Sequence, residues 1–328
     1  MKSILKYSTL VLVFFALVSF INKNHDDSIP LGKSAIKKII IDPGHGGIDP
    51  GAKGTFSTEA QVSLAVSLKL GKAIQKEFPD MKVIYTRTTD VMAGNKPDMN
   101  AGLRYRADLA NSSGADLFIS VHCNSAGKKA GGWYEKVVVD KIANTKYVGK
   151  GKNRKKKTYY TYKYENVYRE NKARGTETYI WAVSKNDDKL KSLTKNNEFY
   201  GEIDSTSTLE LPDPSDPVEM ARMLVYANNY FHKSLSLADF IEKEFAAVGR
   251  VSRGVKQRND KGIWVLQATG MPSVLIEIGF ISNTEEEKYI NSEKGQEEIV
   301  GNVINALKSY NARLEARNQS LEEKKKAF

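Results

Sequence analysis

The chain has one cysteine, Cys123, in 328 residues, which excludes an internal disulfide framework and leaves the redox compartment unread. Its N-terminal apolar run, Thr9 to Ile21, falls short of the roughly 20 residues a spanning helix needs. A basic start, Met1 to Lys6, and the polar stretch Asn22 to Ser28 flank that run as in a secretory signal peptide. No small-x-small cleavage motif and no lipid-anchor cysteine accompany it. Residues 1–28 are therefore expected to be a signal peptide or an uncleaved membrane anchor, and the rest of the chain to be exported to the periplasm or cell envelope.

What is present is ordinary in bulk, with 41% hydrophobic and 27% charged residues. The length allows one large α/β domain or two smaller ones. The net charge of +11 is not evenly spread. Residues 126–174 hold 12 Lys and 3 Arg against 4 acidic residues, while the remainder has 35 of each sign. That surplus belongs to one insertion. Alternation from Thr158 to Tyr168 predicts an exposed hairpin strand with Lys150 to Lys157 as a basic turn, and the segment holds Tyr159, Tyr160, Tyr162, Tyr164 and Tyr168. Basic residues interleaved with aromatics suit nucleic acid, an anionic polymer or a lipid surface. In an exported protein no nucleic acid is expected, and a solvated hairpin without a partner is the equal alternative.

Local patterns predict a buried strand from Ser34 to Ile41, a helix from Ser57-Thr58 to Phe78, and a strand from Met81 to Thr86. A helix from Met99 to Ala110 and a strand from Ala115 to His122 follow. Thr58 and Gln61 have capping-box spacing. Strand, helix, strand, helix, strand indicates a mostly parallel central sheet with helices on both faces. Gly175 to Val183, Ile263 to Ala268 and Pro272 to Phe280 read as strands. Pro217 to Phe231, Leu235 to Phe245 and Glu285 to Leu314 read as helices, and Asp187 to Asp216 as a long loop.

The chemistry concentrates at strand ends. Ile39 to Ile41 stops at Asp42-Pro43-Gly44, and His45 follows between glycines, which permit close approach of backbone and ligand. His122 ends a second strand, and ligands of parallel sheets bind beyond the carboxyl ends of strands. Glu59 falls in the first turn of a helix, where position alone suggests that it complements the helix dipole. Two histidines and that glutamate nevertheless make a His-Glu-His set for zinc, with a fourth position free for water. Glu277 sits between Ile276 and Ile278 in a run that should be buried, and desolvation would raise its pKa as a general acid or base near neutrality requires. An arginine partner is the structural alternative. A Cys-His nucleophile is disfavoured, because adjacent strand residues point to opposite faces, so Cys123 diverges from His122 while Asn124 shares its side.

In family order, these residues resemble the zinc-dependent N-acetylmuramoyl-L-alanine amidases of the amidase-3 type, cell-wall hydrolases. The resemblance is carried by Ile41 to Gly47 with Asp49 to Ala52, Thr58-Glu59, Thr86 to Asp90, and Leu103 and Arg106 with Ala110-Asn111. Ala115 to Asn124 and Pro272 to Asn283 complete it, over roughly residues 36 to 310. It implies His45, Glu59 and His122 as ligands of one Zn2+ and Glu277 as catalytic base. The implied reaction is hydrolysis by zinc-activated water of the amide joining N-acetylmuramic acid to L-alanine in peptidoglycan. Asn124, Arg106 and Asp42 are expected to contact substrate or support the ligands. The expected catalytic domain is 34–315, with insertions at about 126–174 and 186–229 and a charged tail at 316–328. Some relatives cover the site with a helix in the second insertion until a partner protein removes it, so a regulatory partner is expected here. The rival readings are a wall-binding scaffold that has lost activity and another zinc peptidoglycan peptidase.

Overall fold

The computed structural model describes residues 35–181, 217–258 and 263–326. The expected signal segment and the long loop lie outside the described residues, as does most of the segment expected to regulate the site.

Six strands form the main sheet: β1 (Lys38–Pro43), β2 (Lys82–Tyr85), β3 (Leu117–Asn124), β6 (Thr176–Ile180), β7 (Ser252–Gln257) and β8 (Ser273–Phe280). A separate two-stranded ribbon is made of β4 (Gly132–Val148) and β5 (Lys155–Glu170). The sheet order is β2-β1-β3-β8-β6-β7, and only the β6–β8 pairing is antiparallel. The helices are α1 (Glu59–Glu77), α2 (Met99–Ser113), α3 (Pro217–Ala247), α4 (Trp264–Ala268), α5 (Thr284–Asn291) and α6 (Glu293–Lys326).

Both sheet faces are covered. On one, Val62, Val66, Leu70 and Ile74 of α1 pack with Leu237 and Ile241 of α3 and Ile299 and Val303 of α6 against Ile39, Ile119 and Ile276. On the other, Ala110 of α2 and Leu266 of α4 meet Ile40, Phe118 and Leu275. The odd–even alternation of each strand sorts its side chains between these two cores. Helix α1 begins with the expected capping box, since Thr58 accepts from Gln61 N and Gln61 reciprocates on the Thr58 N–H.

Several elements differ from expectation. Residues 264–268 are helical rather than extended, because a five-residue apolar run has no period that separates the two states. The strand in this region is the edge strand β7, whose polar Ser-Arg-Gly-Val-Lys-Gln gives little hydrophobic signal. The two helices expected between 217 and 245 are one, with neither Gly nor Pro to break it at residues 232–234. The terminal helix is instead two, separated at Ser292, and α6 runs through the expected tail to Lys326. No helix among the described residues is long and apolar enough to cross a membrane.

Candidate active site

Strand parity builds the site. Asp42, Ser120 and His122 follow Ile40 and Phe118 at two-residue steps, so the face that is apolar in the middle of the sheet becomes polar at its carboxyl edge. His122 of β3 lies in register with Glu277 of β8, which lies in register with Glu177 of β6. These three side chains therefore form a row across adjacent strands. Cys123 points into the opposite core and is buried, as alternation predicts, and burial pushes its thiol pKa well above the ordinary value.

His45 joins them from the loop after β1, in a left-handed conformation with φ 58° that a non-glycine residue adopts only when its surroundings impose it. Two buried arginines supply that constraint. Arg87 donates through Nε to Pro43 O (3.1 Å) and through Nη2 to Gly44 O (2.7 Å). Arg106 donates through Nη1 to Pro43 O (2.8 Å) and through Nη2 to His45 O (2.7 Å). Arg106 also pairs with Asp42, whose carboxylate further accepts from Thr86 Oγ1 (2.6 Å) and Ser120 Oγ (2.7 Å). Asp42 and Arg106 line the cleft, yet these bonds turn their polar atoms toward the fold and fix the His45 loop.

Glu59 arrives from the opposite side of the sheet. The first turn of α1 is tied to the loop through Glu59 N→Ala52 O (2.9 Å) and Ala60 N→Pro50 O (3.1 Å). Glu59 Oε1 lies 3.1 Å from His45 Nε2 and 2.8 Å from His122 Nδ1, and accepts from Cys123 N at 3.0 Å. Its Oε2 accepts from Ala52 N at 2.8 Å. One ligand atom from each of His45, Glu59 and His122 lies within 4.8 Å of the others, a group that could hold a metal ion. Asp49 Oδ2 meets His45 Nδ1 at 2.7 Å and thereby leaves Nε2 facing Glu59. Two glycines make room for these rings. A Cβ on Gly44 would stand 2.5 Å from the His122 ring, and one on Gly51 2.6 Å from that of His45.

The electrostatics follow from this packing. Burial would lower the His45 pKa, but hydrogen bonds and charge from Glu59 and Asp49 prevail and raise it to about 9. Burial would raise that of Glu59, and the two imidazoles instead hold it far below the usual carboxylate range. Glu277 has no such support. It is 8% exposed, its Oε2 has no hydrogen-bond partner among the described residues, and burial together with the Glu59 charge raises its pKa to about 8. Arg258 opposes that rise by charge without supplying a hydrogen bond to Oε2.

All seven residues singled out in the sequence line one cleft of ≈ 460 Å³, walled on its apolar side by Met99, Leu103 and Trp264. Asn124 Nδ2 donates to Glu177 Oε2 (2.9 Å), which also accepts from Tyr179 Oη (2.7 Å). Lys256 Nζ reaches the other Glu177 oxygen at 2.8 Å. Sequence reasoning missed Glu177 and Glu287. The latter is fully buried on α5 and accepts from Thr55 N (2.7 Å), Phe56 N (2.9 Å) and Ser57 N (2.9 Å), which anchors the loop that leads into Glu59. Neither carboxylate carries a local signal beyond its charge. Only the intolerance of Glu177 in a strand to burial could have pointed to it.

Three convergent donors beside an unpaired buried acid provide what metal-assisted hydrolysis requires. Comparison with known proteins assigns the family. Residues 39–309 match the amidase-3 family model, described as N-acetylmuramoyl-L-alanine amidase, and the chain belongs to that family. It is 25% identical over 273 residues to the N-acetylmuramoyl-L-alanine amidase AmiC of Escherichia coli, covering 83% of this chain and 52% of that protein. A sporulation-specific N-acetylmuramoyl-L-alanine amidase of Bacillus subtilis is 39% identical over 90 residues, 27% of this chain and 32% of that protein. The chain thus spans about half of one relative and a third of the other. Among solved structures, the CwlD amidase of Clostridioides difficile, in complex with the GerS lipoprotein, shares the fold. Its TM-score is 0.51 at 24% identity, covering 84% of this chain and 98% of that one.

Proposed function

We propose that this chain is an exported peptidoglycan hydrolase that cleaves the amide between N-acetylmuramic acid and the L-alanine of the stem peptide. The observation that carries this reading is the convergence of His45, Glu59 and His122 beside the orphaned carboxylate oxygen of Glu277. Two imidazoles and one carboxylate are the donor chemistry of catalytic rather than structural zinc, and the residues present fit that ion. Zinc bound there supplies a Lewis acid for the scissile carbonyl and lowers the pKa of water.

The chain's own residues do the rest. Asp49 orients the His45 ring, and Arg87 and Arg106 hold the backbone that presents it. Glu277 Oε2, buried and unpaired, accepts the proton of the attacking water and returns it to the departing nitrogen of L-alanine. A pKa of about 8 without added positive charge places this group close to neutrality, and cationic charge at the three donors shifts it toward the ionised, basic form. Asn124 and Trp264 line the cleft wall, which supports a contact of theirs with the substrate. The substrate places the protein at the cell envelope. The CwlD amidase is described in complex with the GerS lipoprotein, which motivates a protein partner here too.

Digestion of purified peptidoglycan, with the new ends identified by mass spectrometry, tests the reading. Free L-alanine amino termini that disappear with a chelator are expected. Cuts within the peptide would favour a peptidase, and no cuts at all a scaffold.

A further inference from the structure

The β4–β5 ribbon stands apart from the main sheet, and nearly all of its residues are exposed. Strands of 17 and 16 residues extend about 50 Å at the usual rise, far beyond what a tight connection between β3 and β6 needs. Such a ribbon buries little of its own apolar surface.

Its register sorts the side chains by chemistry. Tyr134 faces Tyr168, Val138 faces Tyr164, Lys141 faces Tyr162, Ala143 faces Tyr160 and Tyr147 faces Lys156. A bulge between Val138 and Asp140 keeps these pairs on one face. That face therefore carries a row of six tyrosines interleaved with Lys136, Lys141 and Lys156. Between Tyr134 and the tip it holds no carboxylate, because Glu135, Asp140 and Glu165 all fall on the opposite face. Lys136 Nζ lies 4.9 Å from the centre of the Tyr164 ring and Lys141 Nζ 4.0 Å from that of Tyr160. The rings remain open to solvent, with Tyr134 72% and Tyr160 49% exposed.

The root of the ribbon is fastened to the cleft. β3 ends at Asn124 and β6 carries Glu177, and these two residues are hydrogen-bonded to each other. Gly131 N donates to Ser282 O (2.9 Å) and Asn171 N to Gly131 O (3.2 Å), closing the base.

We infer that the tyrosine–lysine face of the β4–β5 ribbon binds the glycan strands of peptidoglycan together with the carboxylate-bearing stem peptides they carry, and holds them beside the cleft. The identity of the polymer rests on the amidase reading. Sugar rings offer C–H faces that stack on phenol rings, and their hydroxyls suit the polar edges of those rings. Stem-peptide carboxylates match a face that, from Tyr134 to the tip, presents ammonium groups without a competing acid. Among its paired positions the face has only Val138 and Ala143 as aliphatic residues, whereas a membrane-inserting surface is rich in Leu, Phe and Trp.

The test uses the full chain and two triple variants, Tyr160→Ser/Tyr162→Ser/Tyr164→Ser and Lys136→Glu/Lys141→Glu/Lys156→Glu. Binding to purified sacculi is measured by pelleting, with Glu277→Gln added throughout to prevent digestion. Each triple variant is expected to weaken binding about tenfold or more, in line with loss of several stacking or ionic contacts. Without Glu277→Gln, the variants are expected to hydrolyse a soluble muramoyl-peptide at the unsubstituted rate. Unchanged sacculus binding overturns the inference, as does a matching fall in soluble turnover, which would make the ribbon a support of the cleft. Equal, variant-sensitive binding to anionic phospholipid vesicles or single-stranded DNA also overturns it. Failure of the unsubstituted chain to hydrolyse the soluble fragment would refute the amidase reading instead, and sacculus binding reports on the ribbon separately.

Discussion

Replacing Glu287 with glutamine perturbs the site from outside the cleft. Glu287 is fully buried, and its two oxygens accept from the backbone N–H groups of Thr55, Phe56 and Ser57 and from the Ser57 hydroxyl (2.8 Å). Burial alone would raise its pKa, but hydrogen bonds from Thr55, Phe56 and Ser57 lower it below the ordinary glutamate value. Glutamine keeps one acceptor oxygen. Placed on the Oε1 side, that oxygen still serves Phe56 and Ser57, and the amide nitrogen then confronts the Thr55 N–H. The part-buried Thr55 N–H loses its partner, at up to about 1–3 kcal/mol, and the remaining bonds lose their charge assistance. A total of about 2–4 kcal/mol is expected in urea denaturation. The same loop runs directly into Thr58 and Glu59, so zinc affinity in a chelator competition should fall by about 10–100-fold. Because the folded-state pKa is depressed, the carboxylate's contribution is present above about pH 4.5, the unfolded value, and is lost as the pH falls through the folded value. The acid limb of the stability profile should therefore flatten in Glu287→Gln. A stability loss under about 0.5 kcal/mol with unchanged zinc affinity would refute the argument that this carboxylate positions Glu59.

Glu277→Gln should lower hydrolysis by about 100-fold or more while zinc content stays at one ion per chain; retained turnover would remove Glu277 from the chemistry. Since Glu277 has a raised folded-state pKa, chelator-treated protein should lose stability as the pH rises from about 4.5 to about 8, and Glu277→Gln should reduce that slope in thermal unfolding, leaving the part that His45, raised from 6.5 to about 9, contributes above pH 6.5. Arg106→Met leaves Asp42 charged and buried, and a cost of about 3–5 kcal/mol is expected by urea denaturation. A loss below about 1 kcal/mol would show that the pair is dispensable. Gly44→Ala should displace the His122 ring and weaken zinc binding in the chelator competition more than it lowers thermal stability; intact zinc affinity would show that the loop absorbs the methyl group.

Sequence alone determined the local grammar of this protein. Ile39 to Ile41 ending in Asp-Pro-Gly fixes a strand and a turn, Thr58 and Gln61 fix the start of a helix, and strand parity separates His122 from Cys123. Such features depend on neighbours within a few residues, so they are legible without a partner. The burial of Glu277 was legible for the same reason, because two isoleucines and a strand pattern surround it. Its lack of a partner was not.

Tertiary structure decided what the carboxylates do. Glu59 reads locally as a charge at a helix N-terminus, and only the approach of His45 and His122 to one oxygen makes it a ligand candidate. Asp42 and Arg106 are 64 residues apart and neutralise each other beneath the His45 loop rather than facing a substrate. Glu287 meets Thr55 across 232 residues, and no pattern in either segment names the other. A hydrogen bond between distant segments depends on the path of the whole chain, whereas capping and alternation depend on one turn or one strand. That difference in range is why the elements were visible in the sequence and the alliances among their charged groups were not.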